Sequence, residues 1–311
     1  MNKRDSLSPV RLTLGPVLFN WKPEKLRDFY FRLADESCVD SVCVGEVVCS
    51  KRTPFFTPYL PEVIERLQAA GKEVILSSLA LIMTAREAEQ ARELTMTDGM
   101  LVEANDVSVV AMMAGRPFVA GPLLNIYNEG TLAYLHRMGA SRACLPAELP
   151  ESVIAALAAG PLAAGSGPEI EVQSFGRLPL AISARCYHAR SRNLAKDGCQ
   201  YVCAEDADGM DVDTLDDDPF LAVNGTQTMS YHYLGLLAEL SALRRLGVNR
   251  FRLWPHDVDM VAVAALFRAA ADGLIDTEEA GQRLADLCPR AEFANGYFHG
   301  REGHAYIQAD V

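Results

Sequence analysis

Short apolar runs closed by glycine or proline alternate along this chain with longer stretches whose apolar residues recur every three or four positions. The first pattern predicts buried strands and the second amphipathic helices. Strands are expected at Val10–Leu14, stopped by Gly15-Pro16, and at Ser41–Val44, stopped by Gly45. Others follow at Glu73–Leu79, Met100–Glu103, Pro117–Ala120, Arg142–Leu145, Ile170–Gln173 and Arg250–Leu253. Helices are expected at Pro23–Ala34, Pro58–Ala70, Thr84–Leu94, Val107–Ala114, Glu129–Met138, Ser152–Ala159 and Tyr231–Leu246, with one more between Leu274 and Leu287. Pro23 suits a first helical turn, where no amide is needed.

Eight strands alternating with helices over roughly 250 residues point to parallel βαβ units in the α/β class, closed as a TIM-type (β/α)8 barrel. A doubly wound open sheet is the competing architecture, but no Gly-x-Gly-x-x-Gly follows any strand. The expected organisation is one barrel-like domain over 1–311. It carries a long cysteine-bearing insertion at 182–223 after the seventh strand and a C-terminal extension at 274–311. Long segments of this kind in compact domains are usually functional.

Composition narrows the class. The 311 residues are 50% hydrophobic and 23% charged, ordinary for a globular protein. Net charge is −12 and the pI is about 5.0. Such a surface repels phosphate backbones and anionic bilayers, which argues against binding nucleic acid or docking directly on a membrane. Met1–Asp5 leads into no apolar segment of a signal peptide. No apolar run reaches the about 18 residues of a transmembrane helix. A reducing, cytoplasmic location is therefore expected, where the eight cysteines serve as thiols or ligands rather than disulfides.

Four of those cysteines form a pattern. Cys186-x12-Cys199-x3-Cys203 lies within the insertion, and Cys49 lies far upstream in Gly45-Glu46-Val47-Val48-Cys49-Ser50-Lys51-Arg52. Thiolates are soft ligands suited to iron–sulfur clusters and zinc. No Cys-x2-Cys pair of the common zinc patterns is present. Three close thiols on an irregular loop, completed by one distant thiol, suit a cluster. Cys38, Cys43, Cys144 and Cys288 sit in apolar or strand-like surroundings and read as small buried hydrophobes. The acidic runs Glu205–Asp208 and Asp216–Asp218 lack EF-hand spacing and read as solvated loop.

In parallel barrels the site gathers at the C-terminal ends of the strands. Glu46 follows the second strand, Asn105 and Asp106 the fourth, Asn125 the fifth and Glu148 the sixth, while Arg252–His256 spans the end of the eighth. Glu46, Asn105 and Asn125 are candidate catalytic residues; the alternative is that they cap helices and satisfy turns. Cys49 belongs to the second strand-end loop and the other three thiols to the seventh, so a barrel brings both groups to one rim. Lys51, Arg52 and Arg185 flank these cysteines, where cations lower thiol pKa and offset cluster charge; plain solvation is the alternative. His188 could replace a thiol, but four thiols already complete a 4Fe–4S set.

At these motifs the chain resembles the collagenase-like peptidase family, and within it the members that serve oxygen-independent ubiquinone biosynthesis. The likeness is carried by Gly45–Arg52, by Ser183-Ala184-Arg185-Cys186, by Asn224-Gly225-Thr226-Gln227-Thr228-Met229-Ser230, by Leu14–Leu18 and by Phe118–Gly121, in order from about residue 10 to the end. The acidic stretch before Asn224 and the N-terminus are longer than in that pattern. The resemblance implies a 4Fe–4S cluster on Cys49, Cys186, Cys199 and Cys203. It implies a heterodimer with a related cluster protein, a lipid-binding helper protein, and a polyprenylated aromatic substrate hydroxylated on its ring. Two rival readings are a metal-dependent hydrolase of the peptidase type and a non-catalytic scaffold stabilised by its cluster. No nucleophile–base pair or hydrolytic metal set for the first of these can be assembled from the sequence.

Overall fold

The computed structural model describes residues 9–113, 115–159 and 167–308. The leader reading at Met1–Asp5 and the helix end at Ala114 fall outside them. The strands in chain order are β1 (Arg11–Leu14), β2 (Ser41–Val44), β3 (Glu73–Ser77), β4 (Leu101–Ala104), β5 (Phe118–Ala120), β6 (Ala140–Cys144), β7 (Glu169–Ile182), β8 (Met210–Asp213), β9 (Pro219–Asn224), β10 (Gln227–Gly235), β11 (Arg250–Leu253) and β12 (Phe293–Ala294). β1 to β7 and β11 pair in parallel, and β11 contacts both β1 and β7, so these eight strands close a barrel with helices between them. The TIM-type expectation therefore holds. β2 is buried at all four positions, as expected where helices cover a parallel barrel from outside and side chains fill it from inside.

The barrel interior is charged. Arg252 Nη2 lies 2.5 Å from Glu103 Oε2, and its Nε lies 3.0 Å from Glu171 Oε1; all three side chains are essentially inaccessible. One layer toward the N-terminal end, Arg142 and Arg250 share Glu73 and Glu169. Buried ions of this kind persist only when paired and hydrogen-bonded. Ser77 Oγ and Asn105 Nδ2 accordingly donate to Glu103 Oε1 at 3.2 and 3.1 Å. Burial pushes the neighbouring Cys43 and Cys144 thiols well up, which keeps them neutral beside those carboxylates.

Two sequence expectations change. The seventh strand does not end at Gln173. β7 runs on to Ile182, and its second half pairs antiparallel with β10. The pivot is Gly176, whose φ is +105° and where any Cβ would stand 2.7 Å from His256 Nε2. The expected helix Tyr231–Leu246 is β10 as far as Gly235, and a helix spans only Leu240–Arg245. β9 and β8 add to β10 in antiparallel order. The insertion thus hangs from a small antiparallel sheet that extends the barrel wall. The C-terminal extension returns to the same sheet: β12 pairs with β10, and Asn295 Nδ2 donates to the buried Glu239 at 2.7 Å.

Candidate functional site

Cys49 sits on the loop that leaves β2. Gly45 opens this loop with φ +129°, and a Cβ there would meet the Ser77 carbonyl oxygen at 2.6 Å. Glu46 folds back under the loop, and its Oε1 accepts the amides of Val48 (2.8 Å) and Cys49 (2.9 Å). Burial raises the Glu46 carboxyl above its ordinary value, and Arg52 with those amides pulls against it. Ser50 Oγ donates to Glu87 Oε1 at 2.6 Å. Glu87 also closes a capping box with Thr84 at the head of helix Ala85–Thr95. The Cys49 loop is therefore fixed both to its own strand end and to the helix after β3.

Arg52 joins this loop to the insertion. Its guanidinium is buried and donates to the Leu18 carbonyl (3.1 Å) and Asn224 Oδ1 (2.7 Å). Asn224 Nδ2 in turn donates to the carbonyls of Cys203 (3.0 Å) and Asp206 (2.9 Å). Thr226 Oγ1 donates to the Val48 carbonyl at 2.8 Å. Between them stands Gly225, with φ +71° and Arg52 Nη2 at 2.3 Å from where a Cβ would lie. Lys51 Nζ reaches the Lys196 carbonyl (2.8 Å) and Asp197 (3.1 Å) on the far side. Phe55 stacks edge-on against Tyr201 with ring centroids 4.7 Å apart.

The result is one pocket lined by Cys49, Cys186, Cys199 and Cys203 together with Lys51, Arg52 and Lys196. The Ala189 amide donates to Cys186 Sγ at 3.4 Å, and Asn20 Nδ2 to Cys203 Sγ at 3.3 Å. Burial raises the Cys49 and Cys186 thiols; the Lys51 amide and Arg52 oppose this at Cys49, and the Ala189 amide opposes it at Cys186. Gln200 and Tyr201, within the Cys199–Cys203 turn, both adopt left-handed backbones at φ +50° and +55°. Non-glycine residues in that region carry strain of order 1–3 kcal/mol, which concentrates at functional sites. Among the described residues no three His, Cys, Asp or Glu side chains gather closely enough to hold a single metal ion. A soft, four-sulfur donor set with sulfur-directed donors and a buried cation fits an iron–sulfur cluster.

The other sequence candidates lie elsewhere. Glu46 shapes the Cys49 loop, whereas Asn105 is buried at the barrel mouth with Nδ2 bonded to the Ser78 carbonyl and Glu103. Its Oδ1 has no hydrogen-bond partner among the described residues. Asn125 is exposed, at φ 57°, closing the turn Pro122–Leu124. Asp106 Oδ1 accepts the Ser108 amide at 2.8 Å. Asn125 and Glu148 line a second cavity at the mouth, between the loops after β5 and β6 and the extended part of β7. His188 is fully buried, 2.8 Å from Asp206 Oδ2 but out of line for a hydrogen bond. Cys43, Cys144 and Cys288 are buried as expected, but Cys38 is exposed. It lies between buried Ser37 and Val39, and the extended chain there turns the middle side chain outward.

Not all of the acidic stretch is solvated. Asp208 Oδ1 faces His256 Nδ1 at 2.6 Å, and Tyr233 donates its hydroxyl to Oδ2. Burial would raise the Asp208 carboxyl, but His256 and Tyr233 outweigh it and hold it at about 2. The backbone amide of Arg177 donates to His256 Nε2 at 2.9 Å, which places the ring proton on Nδ1. With Trp21 Nε1 donating to the Ala207 carbonyl at 2.6 Å, these contacts moor the end of the cysteine segment to the barrel. The sequence carried one signal for this: His256 stands just past the last barrel strand, where site residues collect.

Fold and site together define a TIM-barrel protein with a thiol-lined pocket on its C-terminal rim. The model described as Peptidase family U32 matches residues 23–308, and the chain belongs to that family. Among solved structures it is similar to the phospho-2-dehydro-3-deoxyheptonate aldolase (DAHP synthase) of Thermotoga maritima, with 11% identity over 94% of this chain and 75% of that one and a TM-score of 0.43. It is also similar to a tryptophan synthase complex from Pyrococcus furiosus, with 11% identity over 90% of this chain and 98% of that one and a TM-score of 0.37. Neither likeness bears on function at such scores.

Proposed function

We propose that this chain is the 4Fe–4S redox subunit of a heterodimer required for oxygen-independent ring hydroxylation in ubiquinone biosynthesis, the role of the protein UbiV, paired in the cytoplasm with the related cluster protein UbiU. One observation carries the reading: Cys49 and three insertion cysteines, remote in sequence, line one pocket beside Lys51 and Arg52. Cys49, Cys186, Cys199 and Cys203 would hold the cluster, which when bound supplies one-electron transfer at the barrel rim. Arg52 offsets the charge of the thiolates from its buried position. Asn20 and the Ala189 amide hydrogen-bond to ligand sulfurs, a recognised means of tuning such centres. Hydroxylating a ring without O2 withdraws two electrons from the substrate and takes the oxygen from another donor. A second cluster on UbiU matches that electron count. The substrate is a polyprenylated aromatic, and its apolar tail is the reason a lipid-binding helper protein would be needed.

A peptidase reading of the family name requires an activated nucleophile or a hydrolytic metal. The buried His256–Asp208 pair does not supply the base, because the Arg177 amide already occupies the free imidazole nitrogen. The deciding experiment is anaerobic purification with iron, sulfide and zinc analysis. About four irons and four sulfides per chain are expected for the full ligand set. Zinc without sulfide would overturn the reading in favour of the hydrolase. A variant whose cluster cannot be reduced, with the heterodimer intact, should abolish ubiquinone synthesis; continued synthesis would favour the scaffold.

A further inference from the structure

The thiol pocket opens beside a basic face on an otherwise acidic chain. A cleft next to it is lined by Lys51, Arg86 and Lys196, together with Met83, Gln90 and Tyr201. Lys51, Lys196 and Tyr201 line the thiol pocket as well, so the two are continuous. The positive charge extends further. Lys196 Nζ donates to the Ala184 carbonyl at 3.0 Å, which brings it next to exposed Arg185 and hence to Cys186. Arg86 and Arg185 are exposed and make no ion pair among the described residues. The nearby acids are engaged: Asp197 pairs with Lys51 at 3.1 Å and Glu205 with Arg192 at 3.2 Å. Glu87 is spent on Ser50 and on the amides of Met83 and Thr84. The acidic turn Asp216–Asp218 is held off at the far end of β9, about 20 Å from Asn224 along a six-residue strand. Phe55, Met83 and Tyr201 add exposed apolar surface to the same face.

We propose that this face docks an acidic protein that carries one electron at a time, and that this carrier removes electrons from the cluster held by the four thiols. The inference rests on the proposed function for that cluster and identifies how its electrons leave. The two electrons withdrawn from a ring have to be passed on before a second turnover. In each encounter the carrier is reduced by one electron and the cluster oxidised by one, with no bond made or broken, so two encounters balance one ring. Weak redox encounters bury less than about 1,200 Å² and rely on complementary charge for speed and orientation. The net charge of −12 repels an acidic carrier in general, so a local basic face selects the side on which it approaches. Exposed aromatic and methionine side chains among the cations supply the close contact, as they do at the centres of protein interfaces. An anionic bilayer is a far wider surface and would meet the acidic remainder of the chain as well.

The test is fluorescence anisotropy of a dye-labelled flavodoxin, an acidic flavin carrier, titrated anaerobically with the co-expressed pair, or with the full chain alone where no pair forms. Binding is expected at about 0.01 M salt, where the Debye length is about 30 Å, and should be lost at about 1 M, where it is about 3 Å. Arg86→Glu and Arg185→Glu should each weaken binding at least about fivefold at low salt. Arg245→Glu changes the net charge equally, but Arg245 ends the helix that leads into the start of β11, at the opposite end of the barrel. It should alter binding by less than about twofold. All three arginines are exposed and free of ion pairs among the described residues, so their replacement leaves the fold in place. Absence of salt-dependent binding, or equal weakening by the three variants, would overturn the proposal. So would retention of the protein on anionic phospholipid vesicles without binding of flavodoxin. Iron analysis keeps the two readings apart. Flavodoxin binding that is lost in Arg86→Glu, by protein devoid of iron and sulfide, supports the docking face and removes the redox role. A cluster-bearing protein that ignores flavodoxin does the reverse.

Discussion

Arg52 is the residue on which the two cysteine segments converge. It contacts the chain before the first helix through Leu18, and the insertion through Asn224. Gly225 is the space that lets it do so. Gly225→Ala places a methyl where Arg52 Nη2 now lies and forces a left-handed backbone on alanine. We expect a loss of about 1–3 kcal/mol and faster removal of iron by a chelator, measured as urea stability and as the release rate of bound iron. Unchanged rates would mean that Arg52 does not hold the site together. The thiols give a second test at the same scale. Alanine at Cys49, Cys186, Cys199 or Cys203 should remove most iron per folded chain, because the cluster loses both a bond and a charge. Alanine at exposed Cys38, or at buried Cys144 and Cys288, should leave the iron content intact. Equal losses in the two groups would dismiss the ligand assignment.

Elements decide how the site is presented, and here the sequence was only partly readable. The barrel strands announce themselves, since runs such as Ser41–Val44 are wholly apolar or small and stop at glycine. The β7 extension and β10 did not, because Tyr231–Leu246 spaces its apolar residues in a way that also suits a helix, and only Gly235 marks the break. Pairing with β7, a non-local contact, settles the conformation, as is common where context outweighs propensity. The four pocket-lining cysteines could be picked out by spacing, but the Arg52–Asn224–Thr226 stitching could not, since it is created by the fold. The charged interior does leave a trace in the sequence: Glu103, Glu171 and Arg252 each stand between apolar neighbours inside a strand. The anchoring of the insertion by Asp208 has a pH signature. Its carboxyl is held at about 2 against an unfolded value of 3.8. Its stabilising effect is therefore complete above about pH 3.8 and disappears as pH falls through about 2. It amounts to about 2 kcal/mol, because lowering a pKa by one is worth about 1.4 kcal/mol. Asp208→Asn should be less stable than the parent by that amount near neutrality, with the gap closing across this window in urea titrations. A gap that does not change with pH would show that the carboxylate charge contributes nothing.

At the scale of the whole molecule the charge balance and the single thiol pocket set the terms for partners. No helix among the described residues is long and apolar enough to cross a membrane, and the net charge of −12 opposes direct contact with an anionic bilayer. Under the proposed function, a polyprenylated substrate would then reach the barrel mouth by way of another protein. The pocket offers four thiols, enough for one cluster of the proposed kind, and one cluster transfers single electrons, whereas ring hydroxylation withdraws two. Under the proposed function a complementary cluster on a second chain would resolve that mismatch, and its interface should be large and obligate, burying about 2,000 Å² or more. We therefore expect the lone chain to be inactive and poorly soluble, and to co-purify with its cluster-bearing relative on co-expression. Size-exclusion chromatography with native mass measurement of the co-expressed pair reads the outcome directly. A complex at the summed mass, with both clusters retained, is expected. If this chain stays monomeric beside the candidate partner, or hydroxylates the aromatic ring alone, the two-cluster arrangement is wrong, and this chain must by itself supply the means of moving both electrons.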